Sequence, residues 1–348
     1  MVLFLAARFA WTVVLFLVIT LFTFVVFFVV PQPQVRAPGR GGNTDPIDIR
    51  DSIALHGSLP SQYVQFVWNF VTDGSLGRSY YNRQEVSDIV RRAAPITISV
   101  VAGGVVFWLL LAIPIGVLSA LRPRSLLDRS AMVFVLIGVS AHPAWLGLVL
   151  GHIFGYRLQW LPFSGYCEMF SPTTICGGPA QWAWHLILPW FTFAFLYAAL
   201  YARMIRASVI ETMEEDYVRT ARAKGSGEAQ VLRGHVFRNS MLPIVTMLGM
   251  DLGTALGGVI FIESVFNLPG LGGILRSAIT QRDLPVVLGV VTYTTVAILM
   301  LNLIVDILYA ILDPRVRLRT GMRTSGRTRT RGAGSASAPA PAPATPTG

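Results

Sequence analysis

Six long apolar runs constrain what this chain can fold into more than any other feature of it. A helix needs roughly 20 such residues to cross about 30 Å of hydrocarbon. Inside hydrocarbon the backbone must satisfy its own polar groups, so runs of this length become helices. The first runs from Phe9 to Val30 without a charge, and the second from Ile96 to Leu121. The third lies between Ala131 and Tyr156 and the fourth between Trp182 and Ala202. The fifth extends from Met241 to Ile262 and the sixth from Val286 to Leu312. Only 13% of the residues are charged, against about 25% in a soluble domain.

The formal net charge of +10 raises nucleic-acid binding as a possibility. The basic residues sit between apolar runs rather than on one soluble face, which excludes it. Such charge reads as topology instead. Of the 28 Lys and Arg residues, 18 fall at Arg8, between Arg122 and Arg129, between Arg203 and Arg238, and from Arg315 to Arg331. Most of the others lie in the stretch 31–95, too long for its charge to steer insertion. Both termini are therefore expected to be cytoplasmic, with 31–95, 157–181 and 263–285 facing outward. The first run, at 22 residues, exceeds the 7–15 of a signal-peptide h-region. Pro31-Gln32-Pro33 follows it rather than a small-residue cleavage site, so an uncleaved span is expected.

Three parts follow: 1–95, the first transmembrane helix and a long outer loop; 96–312, a five-helix core; and 313–348, an Arg-Thr and Ala-Pro tail expected to be disordered and cytoplasmic. In the outer loop, Tyr63 to Val71 alternates apolar and polar residues and suits a membrane surface, as does Trp68; the favoured alternative is a loop that caps the bundle. The two cysteines, Cys167 and Cys176, share the second outer loop. An oxidising compartment permits a disulfide there, worth about 2–3 kcal/mol for so short a loop; the alternative is two unlinked thiols. Gly249 and Gly253 form a GxxxG pattern that allows close helix approach.

No nucleotide site is visible. The single lysine, Lys224, precedes Gly225-Ser226, which fits a P-loop in neither order nor spacing. Metalloprotease, CxxC and nucleophile-elbow patterns are absent as well. His142 and His152 fall in the third run, where a hydrogen-bonded interhelical histidine outweighs a metal ligand. No metal site, catalytic residue or bound cofactor is expected.

The informative segment is the loop 203–238, far longer than the usual 2–8 residue connection between helices. Asp216 is placed to cap a helix over Tyr217–Lys224. Arg222 and Lys224 suit its C-terminal end, and Gly225 supplies a left-handed stop. Ser226 then opens a further helix with Glu228 in its first turn. The small residues Ala221, Ala223 and Gly225 read as places for close packing.

The run Tyr217-Val218-Arg219-Thr220-Ala221-Arg222-Ala223-Lys224-Gly225, with Arg238-Asn239-Ser240-Met241-Leu242-Pro243 after it, resembles the EAA loop of ABC importer permeases in its dipeptide, oligopeptide and nickel form. Leu161-Pro162-Phe163-Ser164-Gly165-Tyr166, His185-Leu186-Ile187-Leu188-Pro189 and Glu263-Ser264-Val265-Phe266-Asn267-Leu268-Pro269-Gly270-Leu271-Gly272 agree, as do Asp306 and Asp313-Pro314-Arg315. The long first outer loop is similar to that of the family's "B"-type subunit. Two departures stand out: Glu-Ala-Ala is Arg219-Thr220-Ala221 here, and the Leu-Pro comes late, at Leu242-Pro243.

The resemblance implies an all-α membrane protein with six transmembrane helices and an EAA-type coupling loop between the fourth and fifth. It implies a permease subunit in the bacterial inner membrane, forming half of a pathway for di- or oligopeptides. Nickel or another small solute is the alternative cargo; a secondary transporter is a weaker reading, because no inverted repeat is visible. The implied partners are a second related permease in a heterodimer, two ATPase subunits or domains that bind the ATP, an extracytoplasmic substrate-binding protein, and the bilayer. Carried over, Ala221 and Gly225 pack closely against the ATPase, and Glu215, Asp216, Arg222 and Lys224 make polar contacts with it.

Asp251 lies within the fifth run. A carboxylate at the bilayer centre costs roughly 2.5–3.5 kcal/mol on insertion scales. It is expected either to line the pathway and meet a cationic peptide amino terminus, or to hydrogen-bond a neighbouring helix.

Overall fold

The computed structural model describes residues 2–29, 55, 57–170 and 176–312. The tail 313–348, with its expected disorder, and the proline- and glycine-rich start of the first outer loop lie outside them. The described residues are helical apart from turns and two isolated β-bridges.

Among the described residues, five helices are long and apolar enough to cross a membrane: α1 (Val2–Phe24, continued by a π-helical turn Val25–Val29), α3 (Val86–Leu121), α6 (Pro179–Glu214), α9 (Leu242–Val265) and α11 (Leu284–Leu312). The third apolar run is not one straight span. It divides into α4 (Leu126–Ser140) and α5 (Pro143–Leu150, prolonged as a π-helix over Gly151–Arg157), bent by 108°. Pro143 has no N–H to continue the helix and would crowd the preceding turn. His142 seals the break, its Nδ1 accepting the Ala144 N–H at 3.2 Å. With the bent pair counted as one, six spans stand as expected, in a multi-pass membrane protein.

α3 and α6 form the centre of the bundle and run parallel. Gly103, Gly104 and Gly116 of α3 meet Trp190, Phe193 and Ile205 of α6 in turn, each so close that a Cβ would overlap the facing side chain. Trp108, Tyr201 and Ile205 are fully buried in the cluster built on this seam. Gly249 and Gly253 of α9 likewise admit Val305 and Asn302 of α11, so the GxxxG pair packs an intramolecular contact. Arg8 on α1 pairs with Asp306 on α11 at 2.9 Å, which puts the start of the first span beside the end of the last.

A second apolar cluster gathers Phe24, Phe66, Leu76, Val86 and Leu288. The Tyr63–Val71 stretch belongs to a helix, α2 (Leu59–Asp73), which turns Phe66 inward and leaves Val64, Trp68 and Val71 exposed on the opposite face. Gly74 ends it in a left-handed conformation, its N–H returning to the Phe70 carbonyl at 3.1 Å. This cluster explains why α3 starts at Val86 rather than Ile96: Val86, Ile89, Val90 and Ala93 are buried in it.

Candidate functional site

α6 continues past the apolar run to Glu214, so much of the expected loop is helix. One extended residue, Glu215, separates it from α7 (Asp216–Ala223). Glu215 therefore occupies the N-cap position expected of Asp216, without a side-chain capping bond, and Asp216 sits in the first turn. The C-terminal stop is as read: Gly225 has φ +84°. The N–H of Gly225 bonds the Arg222 carbonyl at 2.9 Å and that of Ser226 bonds the Ala221 carbonyl at 3.3 Å, the two bonds of a Schellman motif. The next helix, α8 (Glu228–Val231), opens from Gly227 rather than Ser226, with Glu228 in its first turn. A π-helical segment, Leu232–Phe237, and a turn, Arg238–Ser240, lead to α9.

α7 is strongly two-faced. Val218 is fully buried, and Ala221 nearly so, in the same cluster as the α3–α6 seam; Val231 and Val236 join it from the segment that follows. Ala221 thus faces the chain's own core. Glu215, Asp216, Ala223, Lys224 and Gly225 are exposed, and the space around Gly225 is open. Arg222 reaches Glu228 through two bonds, Nε–Oε1 at 2.9 Å and Nη2–Oε2 at 3.3 Å. The Asn239 amide donates to the Tyr217 hydroxyl at 2.8 Å, closing the segment across its base.

A polar junction missed by the sequence reading lies on α6, before it reaches α7. Arg206 of α6 donates to both oxygens of Asp128 in the first turn of α4. Asp128 also accepts the Ser119 hydroxyl from α3 and the Arg124 N–H at 2.8 Å. Its own N–H returns to the Ser125 hydroxyl at 3.2 Å. Ser125-x-x-Asp128 is a capping-box pattern, the one local signal by which this aspartate could have been found.

Asp251 has a partner. The Tyr201 hydroxyl donates to its Oδ2 at 2.7 Å, linking α9 to α6, and Tyr201 packs against Trp108 with ring centroids 5.2 Å apart. Asp251 is only partly buried.

Toward the α2 cluster, α9 is followed by α10 (Leu271–Gln281). Glu263, fully buried, accepts the N–H groups of Gly272 and Gly273 at 2.7 and 3.3 Å, a carboxylate at the positive end of a helix. Asp283, just past the far end, accepts the Ser79 hydroxyl and the Tyr80 N–H. Two acids thus anchor α10 at both ends. Cys167 and Cys176 are disulfide-bonded, with Cα atoms 5.4 Å apart. Among the described residues, no group of three or more His, Cys, Asp or Glu side chains is placed to hold a metal ion.

The family model for the binding-protein-dependent transport system inner membrane component matches residues 112–318. That for the N-terminal part of such membrane components matches residues 1–101. A protein of Brucella suis biovar 1 provisionally named a peptide permease protein is 39% identical over 77% of this chain and 83% of its own length. A Brucella abortus protein provisionally named a peptide transport system permease is 35% identical over 89% of this chain and 97% of its own. The di/tripeptide transport system permease protein of Pseudomonas aeruginosa is 32% identical over 90% of this chain and 98% of its own.

Proposed function

The chain belongs to the family of binding-protein-dependent transport system inner membrane components, and from that premise we propose that it is a permease subunit of an ATP-driven importer of short peptides. The cargo class is carried by its relatives' names. In this reading the chain forms half of a pathway in the bacterial inner membrane, with both termini cytoplasmic. A second related permease supplies the other half, two ATPase subunits or domains bind and hydrolyse the ATP, and an extracytoplasmic binding protein delivers cargo. The chain itself does no chemistry.

The observation that carries the coupling role is the seating of α7. Val218 and Ala221 bind it to the apolar cluster of the α3–α6 seam while Glu215, Asp216, Lys224 and Gly225 are presented outward. A push on that exposed face then reaches the α3–α6 seam through these packed side chains. Ala221 then acts by seating the helix, and the exposed residues make the contacts with the ATPase. Asp251 is a candidate pathway residue, oriented by Tyr201.

The test is uptake of labelled di- and tripeptides, and of nickel ions, into proteoliposomes holding this chain with its companion permease, ATPases and binding protein. ATP-dependent peptide uptake that vanishes when the ATPases are left out is the expected result. Uptake that persists without them sinks the importer reading; uptake of nickel alone sinks the peptide one.

A further inference from the structure

A cavity of about 1070 Å³ opens at the end of the bundle remote from α7, between the Ser79–Gln84 turn, the start of α3, the Tyr166–Phe170 segment and α10. Its size is just above the range for small-molecule sites, on the order of 300–1,000 Å³. Three charged side chains on its wall are exposed: Arg92, Arg276 and Glu168. Each guanidinium is held in place by neutral acceptors. Arg92 donates to the Gln84 side-chain oxygen at 2.6 Å and the Asp88 carbonyl at 3.2 Å, and Arg276 to the Ser264 carbonyl at 3.2 Å. Among the described residues neither meets a carboxylate and Glu168 meets no cation. Two further acids touch the cavity and both are buried: Asp283 accepts the Ser79 hydroxyl and the Tyr80 N–H, and Glu263 accepts the Gly272 and Gly273 N–H groups through Oε2, with Oε1 left unpartnered among the described residues.

An arginine offers five donors in a planar fork, and the neutral anchors here leave several of them open. An oriented guanidinium without a counter-ion fits a carboxylate ligand. Glu168 argues against a simple anion, because it would repel one, and favours a ligand with both signs. Its position is fixed: Cys167 beside it is bonded to Cys176, and its carbonyl accepts the Gly178 N–H at 2.9 Å. The rest of the wall is mixed, with Ile96, Ile274 and Leu268 beside Ser99, Asn267 and Ser277, which suits side chains of mixed kind. Ser264, on the cavity wall, lies on α9, the helix that carries Asp251.

Resting on the importer reading, we propose that this cavity is a receiving site for a zwitterionic short peptide: Arg92 and Arg276 take its terminal carboxylate and Glu168 its terminal ammonium. The permease then reads both ends of its cargo itself, in addition to whatever the binding protein selects.

The test uses the complete transporter in proteoliposomes with saturating binding protein. It compares uptake of one tripeptide with free termini, amidated at the C-terminus, or acetylated at the N-terminus. Losing a hydrogen bond to a charged ligand group costs about tenfold or more. Arg276→Gln and Arg92→Gln are expected to lower uptake of free-carboxylate peptides about that much and to change the amide less than twofold; Glu168→Gln is expected to do the same for free against acetylated amines. ATP hydrolysis stimulated by loaded binding protein is expected to stay within twofold. Equal losses for all three peptides, with stimulation lost as well, assign the cavity to docking of the binding protein and overturn the proposal. Unchanged uptake of all three also overturns it. A wild-type complex that takes up no peptide overturns the importer reading and this proposal together.

Discussion

Arg206 and Asp128, 78 residues apart in sequence, meet through two parallel hydrogen bonds of 2.7 and 2.9 Å. The pair fastens α6 to the start of α4, and Ser119 brings α3 to the same carboxylate. The aspartate side chain is 7% exposed and the arginine 26%. Removing one partner of a buried pair costs about 3–5 kcal/mol because the other charge is stranded, and the partial exposure of Arg206 places this case at the lower end. Asp128→Asn and Arg206→Gln should each lower the melting temperature of the detergent-solubilised chain. The double variant should lose less than the sum of the two. Additive losses would show that the two residues do not act as a pair.

Gly225 sits at φ +84° in the Schellman turn that ends α7. A β-branched residue held there costs about 1–3 kcal/mol of backbone strain, whereas asparagine visits this region readily. Gly225→Val is expected to reduce peptide uptake per ATP hydrolysed, and Gly225→Asn to retain most of it. A wild-type ratio for the valine variant would remove the turn from the coupling path.

Arg222 and Glu228 tie α7 to α8, but their side chains are 34% and 75% exposed. An exposed pair contributes about 0–1 kcal/mol. Arg222→Ala should therefore leave the melting temperature almost unchanged while weakening assembly with the ATPase, read by co-purification. A large drop in stability would show the pair to be structural instead.

Asp251 and Tyr201 offer a way to separate two roles. If the carboxylate meets a peptide amino terminus, Asp251→Asn should impair uptake of free-amine peptides more than of acetylated ones, and Tyr201→Phe should leave that preference in place. If the bond only joins α6 to α9, both variants should reduce all uptake alike. Measuring the free-to-acetylated uptake ratio for each variant decides between them.

The Cys167–Cys176 bridge closes a short loop, and the chain-entropy contribution of such a closure is about 2–3 kcal/mol. Cys167→Ser, Cys176→Ser and the double variant should be destabilised to the same extent. Peptide mapping without reductant should recover the two cysteines in one linked fragment; separate fragments would contradict the pairing.

The spans were legible because hydrocarbon demands long apolar runs, and the GxxxG pair on α9 marked a real close approach. Helix ends were not legible where they leave the apolar zone. The start of α3 carries exposed Arg91 and Arg92 on one face while Val86, Ile89 and Val90 are buried on the other. Hydropathy alone sees a charged loop there. Pro143 marked the third run as one that could kink, but the size of the bend, 108°, is not written in the sequence. The stop at Gly225 could be read because it is local chemistry, while the inward turn of Ala221 and the bond from Tyr201 to Asp251 depend on residues distant in sequence. Asp128 drew no attention in its basic flank, and its partner on α6 is what gives it weight.

α6 is one helix of 36 residues, beginning just after the disulfide loop and ending one residue short of α7. At 1.5 Å per residue it is about 54 Å long, so pivoting it by about 5° at one end swings the other by about 5 Å, close to one helical turn. It is a lever arm spanning the whole thickness of the protein. In the proposed importer, a small displacement of the α7 foot would change the geometry at the far end of this helix, and the reverse stroke would report conditions there back to the foot.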